Sequence, residues 1–350
     1  MAENNSSLFS CCVRSFFKCF SVVLGLIAAG VILVILIASF TPSSSLPEKA
    51  SVIIAPDADG KRSHFLTEKP TILRIDLNGV IGEGALTSEN IEEILLESQE
   101  DELSGHVKGI LLYLNTPGGI AVDGDNIYRA LLAYKQKYNV PIYSYVDGLC
   151  ASAGMYIAAA SDKILASPAS IIGSIGVLLG PAFNFSGAME KIGVQSLTLT
   201  EGKNKDMLNP FRPWKPGEQD SLKAITKDLY DRFVDIIVAA RPNLDKEKLI
   251  NEYGAQVFAS AKAQALGYID NGDSNYSSAL KELTLAAGIK EKEEYQVVKL
   301  EMQRSFFSEL AKAKFPFANG KVIHTFQVDP YITPNMSGKF LYLYQPGMYP

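Results

Sequence analysis

The sequence is short of the residues by which many catalytic and binding sites are found. Histidine occurs only three times in 350 residues, at His64, His106 and His324, and no two stand near each other. Cysteine occurs four times: Cys11, Cys12 and Cys19 precede the one long apolar run, and only Cys150 follows it. No disulfide can therefore form within the main part of the chain, and no metal-ligand spacing exists. The formal net charge of −5 lacks the basic excess that a nucleic-acid partner would demand. Gly79, Gly82 and Gly84 follow an early strand, but no Gly-Lys-Ser/Thr strengthens them into a phosphate loop. There is no internal repeat and no low-complexity tract. No metal or cofactor is implied.

Charge is also absent from Phe20 to Phe40, a run long enough to cross a bilayer as a helix. Arg14 and Lys18 lie just before it. The positive-inside rule puts the N-terminus in the cytoplasm and the remainder outside. A cleaved signal peptide is the competing reading, but Ala38-Ser39-Phe40 makes a poor cleavage site, so an uncleaved anchor is expected. Leu8-Phe9-Ser10-Cys11 is only faintly like a lipidation site, because the apolar stretch follows it instead of preceding it.

The pattern divides the chain into a cytoplasmic segment (1–19), an anchor (20–40), a Pro/Ser/charge-rich linker (41–70), a main domain (71–289) and a C-terminal extension (290–350). Strands are expected at Thr71–Ile75, Val107–Leu114, Ile142–Val146 and Lys163–Ala166. Val107–Leu114 is apolar enough to be buried on both faces. Ser88 is placed as the cap of a helix reaching about Leu103, and Asp123–Tyr138 has helical periodicity at Ile127, Leu131 and Tyr134. Gly173–Val177 reads as a turn and strand, Leu197–Leu199 as a further short strand, and Thr200–Trp214 as irregular. Leu222 to Ile237 carries an amphipathic stripe stopped at Arg241-Pro242. A second short helix, Ala259 to Leu266, ends at Gly267. Lys290 to Glu294 is a solvated charge run, and a late strand covers Phe340–Tyr344. Alternating strands and helices at short spacing predict an α/β layer fold.

The main domain is organised around Ile142 to Ala160. Asp147-Gly148 is expected to break the strand, small residues follow, and an alanine-rich helix begins. A serine at such a strand-to-helix turn, Ser152, suits a nucleophile whose product is an oxyanion. Equally, Ala151 to Gly154 could be small only because a helix packs closely there. A nucleophile needs a base, and no histidine lies between His106 and His324. A lysine can serve only if burial brings it to the neutral form. Lys203 and Lys205, in Glu201-Gly202-Lys203-Asn204-Lys205-Asp206, are the candidates, although most such lysines are solvated. Cys150, with no histidine to make a thiolate, reads as a small buried residue.

Five stretches occur in order: Asn115-Thr116-Pro117-Gly118-Gly119, Ala151 to Ala158, Gly173-Ser174-Ile175-Gly176-Val177, Gly202-Lys203-Asn204-Lys205, and Val257 to Asp270. Together, over roughly residues 70–285, they resemble the signal peptide peptidase A family, membrane-anchored Ser/Lys peptidases. That resemblance implies a ClpP/crotonase-type fold of repeated β-β-α layers after one transmembrane helix. It implies Ser152 as nucleophile, Lys205 as general base, Ser174 as the hydroxyl orienting the lysine, and Gly119 and Ala153 as the oxyanion hole. Position 153 departs from the family's frequent glycine, and Lys203-Asn204 is an uncommon filling of the lysine loop, so Lys203 stays a minority candidate.

The resemblance further implies remnant signal peptides and other apolar unfolded peptides as substrates. It places the chain in the bacterial cytoplasmic membrane with the catalytic domain outside. In double-length relatives the serine and lysine come from different repeats, so a single-copy chain is expected to form a homo-oligomeric ring sharing each site between neighbours. The alternatives are a crotonase-type CoA-thioester enzyme, which would need neither Ser152 nor Lys205, and a non-catalytic membrane scaffold.

Overall fold

A computed structural model describes residues 13–30, 50–302 and 339–344. The chain divides after Glu48 into two compact units. In the first, helix α1 (Val13–Gly30) is long and apolar enough to cross a membrane. Residues 31–40 of the expected anchor, and His324, lie outside the described residues.

The second unit runs β1 (Ala50–Ala55), β2 (Thr71–Asn78), α2 (Ser88–Glu97), β3 (Val107–Thr116), β4 (Gly118–Ile120), α3 (Ala121–Tyr138), β5 (Ile142–Ala151), α4 (Ala153–Ala158), β6 (Lys163–Ala166), β7 (Ile171–Gly173), α5 (Ser186–Lys191), α6 (Asp220–Ala240), α7 (Lys246–Lys248), β8 (Val257–Ala259), α8 (Ser260–Ala265), α9 (Tyr276–Ala286), β9 (Gln296–Met302) and β10 (Leu341–Leu343). One sheet has the order β1-β9-β2-β3-β5-β7-β8, with β6 also on β5. Pairing is parallel from β9 through β2, β3 and β5 to β6 and β7, and antiparallel at the two edges, β1–β9 and β7–β8. A separate ribbon joins β10 to β4 antiparallel. This is the α/β layer class that the alternation of elements predicts.

The central strand accounts for the layers. Successive side chains of a strand face opposite ways. Ile110, Leu112 and Leu114 join the larger core, with Ile127 and Leu131 of α3 and Phe233 of α6. Leu111, facing the other way, packs with Tyr143, Leu280 and Leu283 under α9. Burial on both faces is what the apolar run, broken only by Lys108 and Gly109, requires.

Several local expectations change. The first helix is capped by Thr87, whose hydroxyl accepts from Asn90 N–H at 3.4 Å, and ends at Glu97. Ser88 turns instead to Asp123, donating to its carboxylate from both N–H and Oγ at 3.0 and 3.1 Å. Gly173 ends a strand instead of opening one, and Leu197 and Leu199 lie in irregular chain, 85% and 86% exposed. β1 lies within the stretch read as a linker, and β9 beyond the charge run; neither has a pattern of its own that announces it. The largest change is in β5. It does not stop at Asp147-Gly148 but continues to Ala151. Gly148 takes φ 117°, where a Cβ would stand 2.8 Å from Asn115 Oδ1. The strand therefore bends there, leaves its β6 partners (Tyr143–Val146) and pairs with β7 through Leu149–Ala151.

Candidate active site

That bend delivers Ser152 to the mouth of α4. Ser152 has φ 56° and ψ −115°, a conformation that costs a residue with a Cβ about 1–3 kcal/mol. Its N–H donates to Gly173 O at 2.9 Å, and its carbonyl receives Tyr156 N–H at 3.0 Å. The side chain is buried, and Oγ has no hydrogen-bond partner among the described residues. A buried hydroxyl is normally paired, and among the described residues Ser152 shares this exception with the Tyr268 hydroxyl. The positive φ falls on Ser152 and not on Ala153, so the alanine at 153 carries no backbone penalty. Ala153 is the first helical residue, and its N–H has no acceptor within the helix.

Gly118 and Gly119 lie directly against this turn. A Cβ on Gly118 would overlap Tyr342 O and stand 2.9 Å from Ala153 N and 3.0 Å from Ser152 Cβ. A Cβ on Gly119 would run into the Ile81 backbone, 2.6 Å from its N. Both positions therefore demand glycine. Gly118 N–H is already engaged by Thr116 Oγ1 at 3.1 Å. Gly119 faces β10, paired with Tyr342. Of the two expected oxyanion donors, Ala153 has its N–H beside Gly118 and Ser152, while Gly119 follows Gly118 in the chain and packs on Ile81.

Ser174 closes the other side. Ala151 pairs with Gly173, which puts Ser152 and Ser174 at the ends of adjacent strands. Ser174 is also at φ 56° and is buried, its N–H given to Gln256 O at 2.8 Å.

The matches to known proteins fall on this assembly. The model of peptidase family S49 matches residues 134–290, a span that holds Ser152, Ser174 and Lys205. A Synechocystis sp. protein provisionally named a protease is 32% identical over 199 residues, covering 57% of this chain and 68% of its own. The chain belongs to peptidase family S49. An Enterococcus faecium protein provisionally named signal peptide peptidase SppA is 33% identical over 207 residues, covering 57% of this chain and 59% of that one. Among solved structures, a ClpP1 variant from Listeria monocytogenes aligns with 61% of this chain and 96% of its own at 16% identity, with a TM-score of 0.39. The family assignment rests on the sequence relatives.

In this S49 chain neither lysine of that loop is hydrogen-bonded to Ser152 Oγ. Lys203 and Lys205 are both exposed, and neither side chain has a hydrogen bond or ion pair among the described residues. Lys205 sits on a turn made by Gly202 (φ 94°) and Asn204 (φ 62°), its N–H bonded to Gly202 O at 3.3 Å. The turn belongs to a long exposed arm, roughly residues 181–215, that carries Phe183, Phe185, Ile192, Val194, Leu197 and Leu199 outward. One clamp fixes its base. Arg212 bonds Asp206 Oδ2 at 2.7 Å and Asp206 O and Glu218 Oε2 at 2.8 Å each, while Glu218 Oε1 accepts Leu208 N–H at 3.3 Å. The guanidinium holds both carboxyls below the usual carboxylate range.

Three other candidates lie among the described residues. Cys150 is fully buried, its Sγ 3.7 Å from Met155 Sδ, and burial pushes its thiol far up. His64 is exposed, and His106 precedes β3 at the end of that strand away from Thr116. The sequence reading places β10 as a strand but gives no sign that it crosses Gly119. Its signal is the alternation Leu341-Tyr342-Leu343, which suits a ribbon with one aromatic facing inward.

Proposed function

We propose that the chain is a serine peptidase whose nucleophile is Ser152. The observation that carries this is the strained, buried, unpartnered Ser152 hydroxyl beside the free N–H of Ala153 and the Gly118-Gly119 turn. Lys205, as a neutral amine, takes the Ser152 proton as Oγ attacks the substrate carbonyl carbon. Its remaining N–H groups need acceptors to fix its direction, and Ser174 supplies one. The tetrahedral oxyanion accepts hydrogen bonds from Gly119 and Ala153. The lysine returns its proton to the departing amine, and water then hydrolyses the acyl-enzyme.

Lys205 serves the serine of a neighbouring copy. Supporting this are the orphaned Ser152 Oγ, the exposed Lys205, and an arm whose apolar side chains ask for cover. A head-to-tail arrangement of that kind closes into a ring. α1 anchors the assembly, with Arg14 and Lys18 on the cytoplasmic side and the peptidase unit outside. Signal-peptide remnants and other unfolded apolar peptides released at the membrane are its substrates. Peptide hydrolysis and labelling by a serine-directed acylating probe test the reading: both should vanish in Ser152→Ala with the fold retained. Labelling that persists at Cys150 would overturn it.

A further inference from the structure

The strand that leads to Ser152 is interrupted on both edges at one place. On the β3 side, Leu114 pairs with Val146 and Thr116 with Cys150. One residue of β3, Asn115, therefore stands opposite three of β5: Asp147, Gly148 and Leu149. On the other side, Val146 pairs with Ala166 and Leu149 with Ile171, so the ladder leaves β6 and resumes on β7. A strand that takes in extra residues bends, and such bulges gather beside active sites, where they re-aim a side chain. Here the resumed ladder ends at Ala151, and Ser152 is the next residue.

Two side chains stand in for the missing backbone partners. Ser170 Oγ accepts Gly148 N–H at 3.2 Å, and Asn115 Oδ1 accepts Leu149 N–H at 3.2 Å. The Ser170 hydroxyl gives its own proton to Val146 O at 3.0 Å. It thus accepts and donates across the gap between β6 and β7, as a peptide group of the ladder would. With its proton given there, it receives one from Ser167 Oγ, 2.8 Å away. Ser170 is 1% exposed, and its carbonyl is fixed by Ser260 N–H at 3.0 Å. Asn115 is fixed through its own carbonyl, which accepts Gly79 N–H at 3.0 Å. The chain then runs on through Thr116 and Pro117 to Gly118 and Gly119. One residue therefore grips the approach to Ser152 with its side chain and leads into the Gly118-Gly119 turn with its backbone.

We infer that Asn115 and Ser170 are positioning residues: they hold the bulge that sets Ser152 against the Gly118-Gly119 turn on one side and Ser174 on the other. The inference rests on the peptidase reading. Neither side chain bonds the Ser152 hydroxyl, so both act through the backbone between. Without them the Gly148 and Leu149 N–H groups lose their partners, and the last turn of strand before Ser152 is free to shift. A displacement of about 1 Å at a nucleophile is enough to cost roughly 100-fold in rate. Asn115 stands on the Leu111 face of β3, opposite the core in which α4 packs. The loss should therefore fall on kcat and not on KM.

The test uses the full chain in detergent. Asn115→Leu removes the acceptor and keeps the bulk, and kcat should fall roughly 100-fold with KM within about 2-fold. Asn115→Asp keeps an acceptor oxygen in place and should lose less than about 5-fold. Ser170→Ala should lose about 10-fold, and Ser170→Thr, which keeps the hydroxyl, should recover most of it. A purely structural role would reduce the amount of folded protein and leave kcat per folded chain unchanged. That result, a loss confined to KM, or equal losses in Asn115→Leu and Asn115→Asp would overturn the inference. If Asn115→Leu does not fold, the Ser170 pair carries the same comparison. A second measurement needs no turnover. Amide hydrogen exchange over residues 148–153 should quicken at least about 10-fold in Asn115→Leu and in Ser170→Ala, with residues 110–114 unchanged. Unchanged exchange over 148–153 overturns the clamp whether or not the wild type cleaves peptides, whereas a wild type without hydrolysis defeats the peptidase reading and leaves the clamp to be judged by exchange.

Discussion

Ser152 and Ser174 stand at the ends of neighbouring parallel strands with the same backbone angle, φ 56°, joined by the hydrogen bond from Ser152 N–H to Gly173 O. Two strained serines side by side are a cost that packing alone does not explain. Both conformations suit glycine better. Ser152→Gly should therefore raise stability by about 1 kcal/mol while removing all acyl-probe labelling. Chemical denaturation of the two proteins under the same detergent conditions checks the sign.

Complementation decides where the base comes from. Ser152→Ala and Lys205→Ala chains, each inactive, should recover part of the activity when co-assembled, because some contacts then pair an intact serine with an intact lysine. Verified co-assembly without activity would confine the dyad to one subunit. Lys205→Arg should be inactive at every pH, since arginine cannot give up its proton to become a base. The wild-type rate should fall as pH is lowered through the neutral range, with Lys203→Arg following the same curve.

The Arg212 clamp gives a prediction at acid pH. Asp206 and Glu218 are held below the ordinary carboxylate range mainly by hydrogen bonds to Arg212. Groups depressed in the folded state contribute stability above their unfolded pKa and lose it as pH falls through the folded one. Hydrogen exchange in residues 202–218 should therefore quicken below about pH 4, before the central sheet exchanges. Arg212→Ala should show the fast exchange already at pH 7 and lower kcat, and Arg212→Lys should restore only part of it.

Orientation is tested by protease added outside intact spheroplasts. The peptidase unit should be digested or clipped, while residues before α1 stay protected. Protection of the whole chain until lysis would reverse the topology.

What the sequence made legible was local. The apolar run of β3, the period of α3 and the stop at Arg241-Pro242 each lie within one segment, and each appears in the structure close to where its pattern puts it. The position of Ser152 at a strand-to-helix turn was readable because small residues stand between an apolar strand and an alanine-rich helix. What escaped depends on distant partners. Nothing in Ala50–Ala55 shows that Gln296–Met302 will pair with it. The strand through Asp147-Gly148 survives a turn signal because Gly148 bends over Asn115, a residue on another strand. A late strand was expected at Phe340–Tyr344, but its position against Gly119 is a matter of register between segments more than two hundred residues apart.

The sheet's strand order also sets when this domain can finish folding. β2 is an inner strand, yet one of its two neighbours is β9, made long after the nucleophile turn has left the ribosome. Until then β2 has one open edge, and β1 has no partner at all. Long-range pairings of this sort form slowly, and an open edge meanwhile invites other strands. An emerging chain therefore passes through a stage in which the nucleophile has been synthesised but the sheet that positions it is incomplete. Among the described residues, the late strand β9 is, in time as well as in space, what closes the sheet.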